Sequence, residues 1–132
     1  MGANYMDIRV GIDLGSTNTK IAYVDESGQA IGINNSEGNC YTPSVLCFED
    51  DNVIVGEVAK ELAFILPENI ITGIDKYISK PTETICINAH TLTSEEIIAL
   101  IIKKVIFDAS TLLDSRIVYV KLEMQKKGSK SA

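Results

Sequence analysis

Apolar positions alternate with others through residues 8–14 (Ile-Arg-Val-Gly-Ile-Asp-Leu), and the β-branched side chains among them predict a strand. After a short Gly-Ser-Thr-Asn segment, residues 19–24 (Thr-Lys-Ile-Ala-Tyr-Val) predict a second strand. Asp25-Glu26-Ser27-Gly28 is a turn signal, with Gly28 free to take positive φ, and residues 29–33 predict a third strand. Three successive strands joined by tight turns make an antiparallel meander. Residues 34–43 are polar and punctuated, which marks a loop. Short strands follow at 44–48 and 53–55, on either side of the acidic turn Glu49-Asp50-Asp51-Asn52.

From residue 57 to 66 the period changes. Val58, Leu62 and Ile65 recur at helical spacing and Pro67 ends the segment. Residues 70–79 predict another short helix, and 84–87 a strand. The strongest helical signal starts at Thr93, where Thr93-Ser94-Glu95-Glu96 forms a capping box in which Thr93 and Glu96 satisfy each other's backbone N–H groups. Behind it Ile97, Ile98, Ile101, Ile102, Val105, Ile106 and Ala109 form a broad apolar stripe that runs to about Leu113. Residues 116–122 predict a last strand. The sum is a mixed α/β chain (α+β in the grouping of its elements), a meander at the N-terminus with flanking helices. No internal repeat or low-complexity segment interrupts it.

Composition adds few constraints. The 132 residues are 45% hydrophobic and 23% charged, an ordinary globular balance for one domain. Net charge is −6, unevenly spread: residues 121–132 carry four lysines against Glu123, leaving −9 on residues 1–120. So acidic a body repels a phosphate backbone, which argues against a nucleic-acid partner. The basic end reads as a flexible tail. Cys40, Cys47 and Cys86 lack metal-ligand spacing, and the one histidine, His90, reads as a polar surface residue before the helix. Cys47, in the run Val45-Leu46-Cys47-Phe48, reads as a small buried core residue. The start, Met1-Gly2-Ala3-Asn4-Tyr5, lacks the basic and apolar regions of a signal peptide. No run approaches the roughly 18 apolar residues of a membrane span. The expected location is cytoplasmic, with no membrane partner.

The candidate chemistry lies in the first hairpin. Gly15 removes a side chain where an anion must approach the backbone, and successive N–H groups in such a turn can converge on phosphate oxygens. The hydroxyls of Ser16 and Thr17 add donors. Asp13, at the end of a buried strand, is placed to hold a hydrated Mg²⁺ or orient a water. The segment is neither a Walker loop nor a dinucleotide fingerprint, both of which need other glycine spacings. The alternative is an ordinary hairpin whose turn happens to contain Gly, Ser and Thr.

The stretches GIDLGST (11–17), NNSEGNCYTPSVLCF (34–48), VIVGEVAK (53–60) and PEN (67–69), with the capped helix from Thr93, span roughly residues 8–113. In this order and spacing they resemble the start of the ATPase domain of the seventy-kilodalton heat-shock chaperones. That resemblance implies an actin-like ATPase fold, of which the chain supplies part of the first lobe. Residues 1–120 would form a partial nucleotide-binding domain and 121–132 the tail. It also implies contacts from Gly15, Ser16, Thr17 and Asn18 to the β- and γ-phosphates of ATP or ADP. Asp13 would sit near Mg²⁺, reaching it through water, and near the attacking water. Unfolded polypeptides and co-chaperones would be partners of a full-length relative active in protein folding and the stress response.

Two departures qualify this. Where the family has a Lys-Arg pair after Pro-x-Asn, this chain has Asp75-Lys76, so Lys76 could act as the catalytic lysine only through a one-residue slip. After the helix the family continues into a strand with a Val-Pro-Ala-Tyr-like motif and a second phosphate loop, whereas this chain gives residues 116–124 and a lysine-rich end. The expectation is a truncated relative that binds nucleotide weakly and hydrolyses it negligibly. The alternatives are a non-enzymatic interaction module that forms an oligomer through surface left by the missing lobe, or a fragment of an actin-like sugar kinase.

Overall fold

In the computed structural model, which describes residues 6–80 and 82–124, the first alternation forms strand β1 (Met6–Leu14). Ile8, Val10, Ile12 and Leu14 are buried on one face, and Arg9, Gly11 and Asp13 take the other, as the two-residue period of a strand requires. β1 pairs antiparallel with β2 (Asn18–Val24), and β2 with β3 (Ala30–Gly32), which is the expected meander. Between β2 and β3 the Asp25 carboxylate accepts hydrogen bonds from Ser27 N–H, Ser27 Oγ and Gln29 N–H. The Ser27 hydroxyl, and then the Gln29 N–H, hold that carboxyl below its ordinary value.

The expected loop ends in a two-residue strand, β4 (Thr42–Pro43), laid antiparallel on the start of β2. β5 (Leu46–Glu49) and β6 (Asn52–Val55) flank the acidic turn and belong to a second sheet. That sheet is completed by β7 (Ile70–Ile71), two residues taken from the segment predicted as helix 70–79. The helical part of that segment is only α2 (Asp75–Ser79).

Helix α1 (Glu57–Leu62) is shorter than its pattern, and of the three predicted apolar positions only Leu62 packs against the core. Ala59 is the buried residue, packed with Val45 and Cys47, whereas Val58 and Ile65 are exposed and Phe64 is 91% exposed. A short helix lying close against a sheet is seated by a small side chain, so the spacing of large residues marks its inner face only in part. Beyond Leu62 the chain continues in hydrogen-bonded turns to a single 3₁₀ turn at Pro67–Asn69.

β8 (Thr84–Ile87) pairs with a strand the sequence pattern hides, β9 (His90–Thr93). His90 is therefore not a free surface residue. Its ring stacks at a tilt on Phe48, with centroids 5.3 Å apart, and Nε2 contacts the Asp50 carbonyl. The capping box at Thr93 forms as predicted, with Thr93 N–H donating to Glu96 Oε1 at 2.9 Å and Glu96 N–H to Thr93 Oγ1 at 3.2 Å. It opens α3 (Ser94–Leu113), which joins two apolar cores. Its first half packs Ile97, Ile98 and Ile101 with Leu46, Phe48 and Tyr77. Its second half packs Val105 and Ala109 against Ile8, Val10, Ile12 and Ile21. This long helix is not a membrane span: among the described residues no helix is long and apolar enough to cross one.

The last strand, β10 (Ser115–Met124), runs parallel to β1 on the side away from β2, giving the order β10-β1-β2-β3. α3 supplies the crossover that a parallel pair needs. β10 carries residues 121–124 of the expected tail, and residues 125–132 lie outside the described residues.

The three thiols are free and differ in reach: Cys40 and Cys86 are exposed and Cys47 is buried. Burial pushes the Cys47 thiol up, assisted by the negative charges of Glu49 and Glu68. Titration of the folded chain with a thiol reagent at pH 8 is expected to label Cys40 and Cys86 rapidly and Cys47 only after denaturation. Equal labelling of all three would refute this packing.

Candidate functional site

The turn between β1 and β2 is closed by residues 15–18, because Asp13 pairs with Lys20 and Leu14 with Thr19. Gly15 N–H donates to the Asn18 carbonyl at 3.1 Å. The turn is so tight that a Cβ on Gly15 would lie 2.5 Å from the Asn18 oxygen, inside any allowed contact. Gly15 is thus required by crowding within the turn itself, in addition to the anion approach that the sequence suggested.

Ser44 sits fully buried beneath this turn. Its N–H donates to the Thr17 carbonyl at 2.9 Å and its hydroxyl to the Gly15 carbonyl at 2.8 Å. Thr19 Oγ1 lies 2.8 Å from Ser44 Oγ. Since the Ser44 proton goes to Gly15, the Thr19 hydroxyl is the donor in that contact. The carbonyls of Gly15, Thr17 and Asn18 are all taken up by protein donors. Apart from the Gly15 N–H, which the Asn18 carbonyl takes, the turn offers an outside anion its remaining N–H groups with the hydroxyls of Ser16 and Thr17, and Thr17 and Asn18 are exposed.

A polar chain holds Ser44 in place. Thr42, paired with Thr19, accepts from Asn35 Nδ2 at 3.2 Å, and that amide also donates to the Tyr41 carbonyl at 2.8 Å. Asn35 Oδ1 accepts from the N–H groups of Glu37 and Asn39 at 3.1 and 2.9 Å, which fixes the loop around Ser36-Glu37-Gly38. That loop is pinned to α3: Asp108, 4% exposed, accepts from Ser36 N–H at 3.2 Å and pairs with Lys104 Nζ at 2.8 Å. Lys104 also donates to Ser36 Oγ at 3.1 Å and lies 3.6 Å from Glu37. The Ser-Glu-Gly and Thr-Pro-Ser stretches are thus the mounting of the hairpin.

Ser44, Thr19, Asn35 and Asp108 escaped the sequence reading as site residues. The signal that could have found them is polar residues set inside or beside apolar runs, where burial demands partners. Ser44→Ala leaves the Gly15 carbonyl and the Thr19 hydroxyl without their partner. It is expected to cost about 2 kcal/mol of stability, measured as a lower urea midpoint at unchanged slope. A cost below about 0.5 kcal/mol would show that the clamp is not needed.

Asp13 lies on the face of the sheet away from α3, partly buried, between two neighbours. Lys20 is opposite it on β2, and Glu123 is opposite it on β10. With Gly11, Ala22 and Lys121 they line a shallow groove of about 270 Å³. Lys20 also reaches over the Tyr41 ring, 4.8 Å from its centroid. The groove therefore carries mixed charge, two acids and two lysines. Glu123 and Lys121 were expected in the tail, and parallel pairing over the length of the chain brings them here.

Asp13, Gly15, Ser16, Thr17 and Asn18 lie together at the β1–β2 hairpin. Lys76 is exposed on α2, over the ring of Tyr77 at 5.1 Å from the centroid, and neither it nor Asp75 is among the residues lining the groove beside Asp13.

Comparison with known proteins agrees with this architecture. The profile of the family described as Hsp70 protein matches residues 9–91, which take in the hairpin, its clamp and the second sheet. The chaperone protein DnaK from each of two strains of Thermus thermophilus is 35% identical over 82% of the chain. The chain spans 21% of the length of these relatives. It belongs to the Hsp70 family, with the mixed α/β fold of the N-terminal lobe of that family's actin-like ATPase.

Proposed function

We propose that this chain grips the phosphates of ATP or ADP with the hairpin from Asp13 to Asn18, as the first-lobe portion of an Hsp70-type chaperone ATPase. The observation that carries this reading is the turn at Gly15, whose carbonyls are held from beneath by Ser44 and by the turn itself. Such a turn fits a phosphate, because the carbonyls of Gly15, Thr17 and Asn18 are spent inside the protein, which leaves the hydroxyls and N–H groups of Ser16 and Thr17 to meet an anion. Gly15, Ser16, Thr17 and Asn18 would hold the β- and γ-phosphates. Asp13 would hold Mg²⁺ through water, the ion neutralising charge on the phosphates. Lys20, beside Asp13, adds a cation to the same face.

Hydrolysis is not assigned to this chain alone. Asp75 stands where the resemblance places a lysine, an acid there opposes an anion, and Lys76 rests on Tyr77. In a full-length relative the nucleotide hold would regulate the binding of unfolded polypeptides and co-chaperones. Family membership sets aside the sugar-kinase alternative.

Calorimetric titration of the chain with Mg-ATP tests the reading. The expected dissociation constant is on the order of 0.1–1 mM, with no steady release of phosphate. Absence of binding at about 10 mM nucleotide would overturn the grip. Micromolar affinity with continuous turnover would overturn the statement that the site is incomplete.

A further inference from the structure

Below the hairpin turn, on the face of the sheet away from α3, charged side chains stand in a row. Asp13 and Lys20 are cross-strand partners on β1 and β2, and Glu123 flanks Asp13 from β10. Tyr41 continues the row on the other side, its ring centroid 4.8 Å from the Lys20 ammonium. Gly15 and Asn18 come next on this face toward the turn. A strand advances about 3.3 Å per residue and one face recurs every second residue, so Lys20 lies about 7 Å from the turn. Lys121, the other lysine lining the groove, stands beside Gly11 and about 13 Å from the turn. The turn itself supplies N–H groups and hydroxyls, and Asp13 and Glu123 are negative. Of the two lysines, Lys20 is therefore the nearer to whatever the turn holds.

The groove limits what enters beside Lys20. Its floor is Gly11, with no side chain, and Ala22, with one methyl. At about 270 Å³ it is smaller than the roughly 300–1,000 Å³ of sites for whole small molecules, so it takes a phosphate with its metal and not a nucleoside. A nucleotide lying across the turn then points its terminal phosphate into the groove and its nucleoside away. Lys20 is exposed and rests against the half-exposed ring of Tyr41, whose carbonyl the Asn35 amide holds at 2.8 Å. An exposed cation–π contact is weak beside a charge-assisted hydrogen bond to phosphate, so the ammonium is poised near the groove without being locked there.

We propose that Lys20 binds the γ-phosphate and makes the hairpin prefer ATP to ADP. The inference deepens the phosphate-grip reading and rests on it. With ATP the third phosphate brings a further negative charge against the Lys20 ammonium. With ADP the groove is left to Asp13, Glu123 and the metal, and Lys20 contributes little.

Nuclear magnetic resonance titration of the full chain with Mg-ATP and with Mg-ADP tests this. The unaltered chain is expected to bind Mg-ATP about five- to tenfold more tightly than Mg-ADP. Lys20→Gln is expected to weaken Mg-ATP by about tenfold and Mg-ADP by less than about twofold, which removes the preference. Lys20→Arg keeps the cation and is expected to keep the preference. Lys103→Gln makes the same charge change at an exposed position of α3, across the sheet, and is expected to leave both affinities within about twofold. If Lys20 only pairs with its strand neighbour, K20Q lowers the urea midpoint and weakens both nucleotides alike, and the proposal is overturned. An unaltered chain that binds the two nucleotides equally overturns it without any variant, while the grip on phosphate stands. Binding of neither nucleotide overturns both. Circular dichroism of each variant checks that the fold is retained.

Discussion

Asp108→Ala is expected to lower the unfolding free energy by about 3 kcal/mol. The carboxylate is almost fully buried and holds both the Lys104 ammonium and the Ser36 N–H. Its removal strands a partly buried cation and opens the loop from α3. Glu37, 3.6 Å from Lys104, compensates in part, which keeps the loss at the lower end of the range for a broken buried pair. Urea denaturation measures it as a fall in midpoint at constant slope. The apolar pair K104M/D108L is expected to recover most of the loss, because neither charge is then left behind. A single-variant loss below about 1 kcal/mol would mean that the pair is solvated and the loop is held by other contacts.

Gly15→Ala is expected to weaken Mg-ATP binding by at least about tenfold in the calorimetric titration, equivalent to roughly 1.4 kcal/mol. The added methyl would meet a backbone oxygen at 2.5 Å, which cannot rotate away as a side chain could. Relief requires breaking the Gly15–Asn18 hydrogen bond that closes the turn, so stability should also fall by about 1–3 kcal/mol. Gly32→Ala is the matched control, since a Cβ there meets nothing within 4 Å. If G15A binds nucleotide as tightly as the unaltered chain, the turn is an ordinary hairpin and the phosphate reading fails.

Local rules made much of this fold legible. The alternation in β1 and β2, the punctuated loop, the capping box at Thr93 and the stripe on α3 each follow from a few neighbouring residues, and each formed. The turn from Asp13 to Asn18 was legible for the same reason. Three things were not. The burial of Ala59 in place of Val58 and Ile65 depends on how closely α1 approaches the sheet, which no periodicity records. β9 is a four-residue strand directly ahead of a helix cap, so its His-Thr-Leu-Thr pattern merges with the cap signal. The pairing of Asp13 with Glu123 joins the two ends of the described chain, and only the parallel crossover through α3 reveals it. In the site, Asp13, Gly15, Ser16 and Thr17 were readable from the residue types of the turn, and Asn18 came only from the family resemblance. Those that hold them, Ser44, Asn35 and Asp108, act through partners in other elements.

That same β1–β10 pairing sets a clock on synthesis. Asp7 and Arg116, ion-paired across the two strands at 3.0 Å, are 109 residues apart in the chain. At about 5–20 residues per second, β1 waits roughly 5–20 s between its own emergence and that of the strand that covers its second edge. During that interval the hairpin of β1 and β2 can form, but one side of β1 stays open to any passing strand. Nascent chains stalled before residue 115 would hold that opening indefinitely, so the segment proposed to grip nucleotide is also the one left unguarded longest as the protein is made.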